Sequence, residues 1–267
     1  MTTGATTLGL HPSASLGDRL TAALEAIVLG DRWAYHRRGG DDQICQAGLL
    51  RVALACAEGD GLRPRIWQAH FQGLPSTAAV LTNALPYLWI NADAHGHQRA
   101  MVSQWAAELA LGAAAARACD QLFGVLCQTM GAVSAAAAQG EPAAHLECRL
   151  EGGDSDPLDP LAAALALTAQ SQGQMAVALA LADRRGGASA DIALVGLLLG
   201  LTQGRTSLGA GLRQRWLIEH CAPGVGQPAL SHDDLAEVAM AIYRRWAGLG
   251  GRIPIQPLAP FPLGIGV

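Results

Sequence analysis

The chain has 267 residues, long enough for one large domain or two modest ones, and at 51% hydrophobic it can fill a core of its own, which excludes disorder for its body. Only 15% of residues are charged and 4% aromatic, so burial must come from Ala, Leu, Val and Ile, a composition that suits close-packed helices and predicts an all-α fold. All 18 basic residues are Arg, which excludes Schiff-base chemistry and the phosphate-binding Lys of a P-loop, and a net charge of -4 with no basic stripe argues against nucleic acid as a partner.

In chain order, residues 1–15 form a Thr-, Gly- and Ser-containing lead expected to be flexible. Met1 to His11 carries neither a basic patch nor a long apolar core. Leu16, Leu20, Leu24, Ile27 and Val28 then recur at helical spacing, with Gly30 where a helix would stop. A second helix is predicted from about Asp42, with Ile44, Leu49, Val52, Ala53 and Cys56 on one face and Gly59-Asp60-Gly61 as its end. His95 and His97 flank Gly96 in a loop, spaced for neither a helix face nor a metal pair, and are expected at the surface.

From Ala100 to about Gln139 an Ala-rich stretch predicts two helices, broken near Gly112 or Gly124 and ended at Gly140-Glu141-Pro142. Glu151 to Pro160 is a turn-forming connector, and Leu161 to Leu181 gives one or two helices around Gly173. Ile192 to Leu201 is apolar on all sides, so it should be central; it is about half the length needed to cross a bilayer, and no membrane partner is expected. Ser231 and Asp234 have capping-box spacing ahead of Leu235, Val238, Ala239, Ile242 and Trp246, with Gly248 just past the last turn. Residues 249–267 form a Pro-rich tail in which Pro254, Pro257, Pro260 and Pro262 favour an extended strap. No composition break divides residues 16–248, which are expected to form a single multi-helix domain. The six cysteines are scattered without a Cys-x-x-Cys pair, predicting reduced, buried thiols and a cytoplasmic protein.

Two stretches share an opening: Arg37-Arg38-Gly39-Gly40-Asp41-Asp42 and Arg184-Arg185-Gly186-Gly187-Ala188-Ser189-Ala190-Asp191. Each puts two guanidinium groups, two glycines and an acid at the start of a predicted helix, where turned N–H groups and the helix dipole favour an anion. A phosphorylated ligand held by Arg37, Arg38, Arg184, Arg185, Gly186 and Gly187 is one reading. The other is a solvated Arg-Arg loop with a Gly-Gly turn. Asp41, Asp42 and Asp191 likewise either cap helices or hold a metal.

In the order of these motifs the chain resembles the ADP-ribosylglycohydrolase family. The resemblance is carried by Leu29-Gly30-Asp31, Gly40-Asp41-Asp42-Gln43, Gly186 to Asp191 before IALVGLLLGLTQG, and Arg215-Trp216-Leu217, and spans about Leu16 to Trp246. It implies an orthogonal all-α fold and hydrolysis of ADP-ribose linkages with a pair of magnesium ions. Carried over position by position, only Asp41 and Asp42 survive as ligands: Gly40 replaces a Thr, Ala188 and Ala190 replace two acids, and Asp191 replaces the closing Thr. A methyl group cannot coordinate magnesium, so the paired site should fail, leaving at most one ion on Asp41, Asp42 and Asp191. The resemblance therefore implies a catalytically silent or weak relative, a pseudoenzyme that retains an ADP-ribose-like or other phosphorylated ligand. Alternatives are a working hydrolase with a reduced metal site, and a helical scaffold whose strap docks a protein partner.

Overall fold

The computed structural model describes residues 6–38, 44–59, 63–139, 145–148, 159–214 and 232–249. Helix accounts for 78% of them, as the composition predicts. The helices are α1 (Leu16–Arg38), α2 (Ile44–Glu58), α3 (Pro64–Gln72), α4 (Thr77–Asn91), α5 (Arg99–Glu108), α6 (Ala113–Gln139), α7 (Pro160–Gln170), α8 (Met175–Arg184), α9 (Ser189–Gln203), a single turn α10 (Ala210–Leu212) and α11 (His232–Trp246). A tight turn over Gly204–Leu208 joins α9 to α10.

At the centre, α1 and α9 run antiparallel in close contact, and α4, α7 and α8 cover the rest of α9. Every residue from Ile192 to Leu201 is buried, in line with its all-round apolar pattern. Glycine makes the approach possible. A Cβ on Gly196 would fall 2.5 Å from the Ala26 carbonyl oxygen, one on Gly200 2.5 Å from the Ala23 nitrogen, and one on Gly30 2.8 Å from the Ala193 Cα. Gly196 and Gly200, four residues apart, share a face and meet Ala22, Ala23 and Ala26. Gly30 thus does not end the first helix, which runs on to Arg38; its missing side chain is used for packing rather than termination.

Buried charge closes the far end of this pair. Arg19, fully buried on α1, donates from Nε to the Ala14 carbonyl (3.1 Å), from Nη1 to the Leu201 (2.9 Å) and Thr202 carbonyls, and from Nη2 to the His11 carbonyl (2.7 Å). A cation therefore satisfies the last carbonyls of α9, which no helical N–H can reach. Burial pulls the Arg19 pKa down to about 10, against the opposing pull of Asp18, so it stays protonated at neutral pH. Nearly two turns along α1, buried Glu25 receives Arg205 Nη2 at 2.8 Å and lies 3.4 Å from Arg213 Nε, tying the segment after α9 onto α1.

Thr6–Gly9 (β1) pairs antiparallel with His145–Cys148 (β2), Thr6 opposite Cys148 and Gly9 opposite His145. The expected flexible lead is therefore partly ordered, because Leu8 and Leu10 are core residues. The Ala-rich stretch breaks at Gly112, whereas Gly124 lies inside α6. By length and composition α6 could cross a bilayer, yet Leu122, Phe123, Leu126 and Met130 are buried in the fold. Helix and positive-φ glycine boundaries at Gly59 and Gly248 lie where the sequence puts them. Cys56, Cys119, Cys127 and Cys148 are free and buried. The strap and the cap at Ser231 lie outside the described residues.

Periodicity does not delineate α3 and α4. Helix α4 is buried almost along its whole length, so it has no polar face, and Pro86 sits inside it. Trp105 of α5 stacks on Tyr87 of α4 at 4.3 Å and meets Phe71 of α3 edge-on at 5.3 Å. His70 bonds to the Asn83 Oδ1 at 3.2 Å beneath Gly48 of α2.

Gly200→Ala should destabilise the fold by about 1–3 kcal/mol through overpacking, more than its gain in helix propensity returns. Gly124→Ala, whose Cβ would meet nothing within 4 Å, should instead stabilise by about 0.4–1 kcal/mol. Urea denaturation of the two variants checks both signs.

Burial holds the His70 pKa below its ordinary 6.5, Arg51 acting the same way against the opposing hydrogen bond from Asn83. The unfolded chain therefore takes up this proton at a higher pH than the folded one. The stabilisation is complete above about pH 6.5 and is lost as pH falls through the folded pKa. The urea midpoint of the parent should fall more steeply between about pH 7.5 and about pH 5 than that of His70→Gln.

Candidate anion-binding site

The antiparallel course of α1 and α9 decides which motifs meet. Because α1 ends where α9 begins, Arg37 and Arg38 arrive beside the turn between α8 and α9 that carries the second Arg-Arg-Gly-Gly segment. Arg37 Nε lies 3.4 Å from Asp183 Oδ2, and its guanidinium sits 5.8 Å from the Trp33 ring centroid. Two stretches about 150 residues apart in the chain thus share one end of the central helix pair.

Their local roles differ from the sequence expectation. Arg37 and Arg38 are the last residues of α1, Arg184 is the last of α8, and Arg185 caps it; all lie at helix C-termini, where the dipole favours cations. Arg185 Nη2 donates to Gln170 Oε1 at 3.3 Å, while Arg184 is exposed and has no polar partner among the described residues. The N–H groups of Gly186 and Gly187 donate to the Asp183 and Ala182 carbonyls at 3.0 and 3.2 Å. Those glycines close α8, Gly186 at a φ of 74°, so their amides are not aimed outward.

Asp191 accepts the Ala188 N–H at 2.8 Å, half of a capping box whose other half is missing because Ala188 has no side-chain oxygen. Ala190 packs into the core. Ser189 Oγ donates to Asp31 Oδ1 at 2.6 Å, both groups buried. This charge-assisted bond pins the first turn of α9 to α1. Spacing alone does not announce it, although Asp31 belongs to the Gly-Asp pair that marks the helix. Among the described residues no three Asp, Glu, His or Cys side chains converge as a metal site. Asp41 and Asp42 lie outside the described residues, as do Arg215-Trp216-Leu217 and the Gly152-Gly153-Asp154 loop.

His95 and His97 are exposed, as expected. Asp93 orders their loop by accepting the His95 and His97 N–H groups at 2.9 and 3.2 Å and the His97 ring at 2.8 Å. Partial desolvation raises the Asp93 pKa, but these hydrogen bonds outweigh it and hold the carboxyl below its ordinary value.

Compared with known proteins, the chain matches no family model, no curated protein and no solved structure.

Ser189→Ala removes a buried donor from a carboxylate and should cost about 1.5–3 kcal/mol, read as a lowered urea midpoint. Ser189→Thr, which keeps the hydroxyl, should recover part of that loss.

Proposed function

We propose that this chain is a non-catalytic, cytoplasmic relative of the ADP-ribosylglycohydrolases that binds an ADP-ribose-like or other phosphorylated small molecule where α1 ends and α9 begins. The observation that carries the reading is the 3.4 Å contact between Arg37 and Asp183, which draws the two arginine-bearing segments together. Guanidinium groups suit phosphate because their N–H donors form two parallel bonds to its oxygens. Arg184, exposed and without a polar partner among the described residues, is available to a ligand; Arg37 can exchange the long contact with Asp183 for a phosphate. Trp33, beneath Arg37, offers an apolar surface to the rest of such a ligand.

Magnesium is the cofactor this kinship implies, and the described residues do not fit a pair of such ions. Ala188 and Ala190 supply no oxygens from their side chains, Asp191 spends one on its helix cap, and Asp31 is engaged with Ser189. No catalytic step is therefore derived through a metal. Binding is what the arginines can do, and hydrolysis lacks a described group to activate water.

In a melting scan, ADP-ribose should raise the midpoint of the parent protein, because a ligand bound only by the native state stabilises it. Arg184→Ala and Arg37→Ala should each remove most of that rise, and calorimetry should show about a tenfold loss of affinity for either. A parent protein whose midpoint is unchanged by both ADP-ribose and inorganic phosphate would sink the reading. Magnesium-dependent release of ADP-ribose from a modified protein would replace it with a hydrolase.

A further inference from the structure

From Gly61 to Ala92 the chain carries Arg63, Arg65 and His70 and not a single Asp or Glu, although its net charge is -4. Helix α3 opens this stretch. It turns Trp67 and Phe71 inward and leaves Arg63, Arg65 and Ile66 exposed, Ile66 at 68% while Ile27, Ile192 and Ile242 are fully buried. Arg63, Ile66 and His70 follow one another at spacings of three and four, and His70 lies against Gly48 of α2. Arg51 of α2, also exposed, sits 5.8 Å from the Trp67 ring. Arg37, Arg99, Arg205 and Arg213 each pair with a carboxylate; among the described residues Arg51, Arg63 and Arg65 do not.

We propose that this face of α3, with Arg51 beside it, is a docking surface for an acidic protein segment carrying an aliphatic side chain among its carboxylates. Charge complementarity selects the partner: Arg51, Arg63 and Arg65, exposed and without a carboxylate partner among the described residues, lie on or beside the short helix that exposes Ile66, so a segment of opposite charge gains both ion pairs and apolar burial. Nucleic acid fits less well, because the aromatic ring that a base would need, Trp67, is buried and lies beneath Arg51. A membrane surface fits less well too, since a nine-residue helix with one exposed aliphatic group offers little to insert. The surface is separate from the arginines at the start of α9 and does not depend on what they bind.

Fluorescence anisotropy with a panel of labelled acidic octapeptides, each holding one Leu at a different position, tests the proposal on the full chain. Several should bind at low salt and weaken as salt rises, and the same peptides with Ser for Leu should bind more weakly. Arg63→Glu with Arg65→Glu should weaken binding roughly tenfold or more, and Ile66→Ser severalfold. Both variants alter exposed side chains, so each should keep the parent's melting midpoint and its response to ADP-ribose. The proposal is overturned if no acidic peptide binds better than a neutral control or if the charge reversal leaves binding intact. It is also overturned if single-stranded RNA or phosphatidylserine vesicles bind in preference.

Discussion

The α1–α9 contact is the constraint on which the rest of the molecule depends. Where the two helices meet at Gly30, Gly196 and Gly200 their backbones leave no room for a side chain, so neither can shift toward the other without a clash. Four further helices are placed by reference to this pair, α4, α7 and α8 on α9 and α11 on α1, while α2 and α6 pack chiefly on α4. Alanine supplies much of the opposing surface, which explains why a chain so poor in aromatic residues can still be densely packed. Dispersion between close backbones here takes the part that large rings play elsewhere.

Antiparallel pairing gives the two ends of α9, about 22 Å apart, opposite electrostatic tasks. At its C-terminal end the carbonyls of Leu201 and Thr202 are closed by Arg19, and Glu25 holds Arg205 and Arg213 nearby. The charges at that end are answered within the protein. At the N-terminal end Asp191 and Asp31 take up a backbone amide and a hydroxyl, which suits the positive end of the dipole, while Arg37, Arg184 and Arg185 finish the neighbouring helices with exposed side chains. Among the described residues Arg184 is the exposed cation of that end without a polar partner, and the proposed ligand is placed there on that ground.

Much of this was legible in the residues. The all-round apolar run from Ile192 to Leu201 announced a central helix, and Gly59 and Gly248 marked helix ends because each adopts the left-handed backbone that glycine tolerates. Gly30 misleads for the opposite reason: a glycine inside a helix and one after it read the same until the partner helix is known. Helix α4 escaped because burial on all sides erases periodicity and Pro86 reads as a break. The lead reads as a flexible segment because its partner strand lies about 140 residues away, beyond the reach of any local pattern. The same non-locality hid the Ser189–Asp31 bond, whereas the shared Arg-Arg-Gly-Gly opening could be seen in advance, though not the helix C-termini it occupies.

The first turn of α9 also bears on whether the methyl groups at 188 and 190 are a loss or an arrangement. Ala190 is a core residue, so a carboxylate in its place would be taken out of water and would need a metal or a cation to repay that cost. With alanine there, the turn is complete without one: Asp191 holds the Ala188 amide, Ser189 answers Asp31, and the Gly186 and Gly187 amides close α8. Every polar group named in that turn has a protein partner, and Arg184 just before it has none among the described residues. A site built for divalent cations has the reverse character, with clustered carboxylates that repel one another until the ions arrive. Among the described residues, then, the carboxylates of this turn are satisfied within the protein and Arg184 is exposed beside it, which is the character on which the proposal of an anionic guest rests.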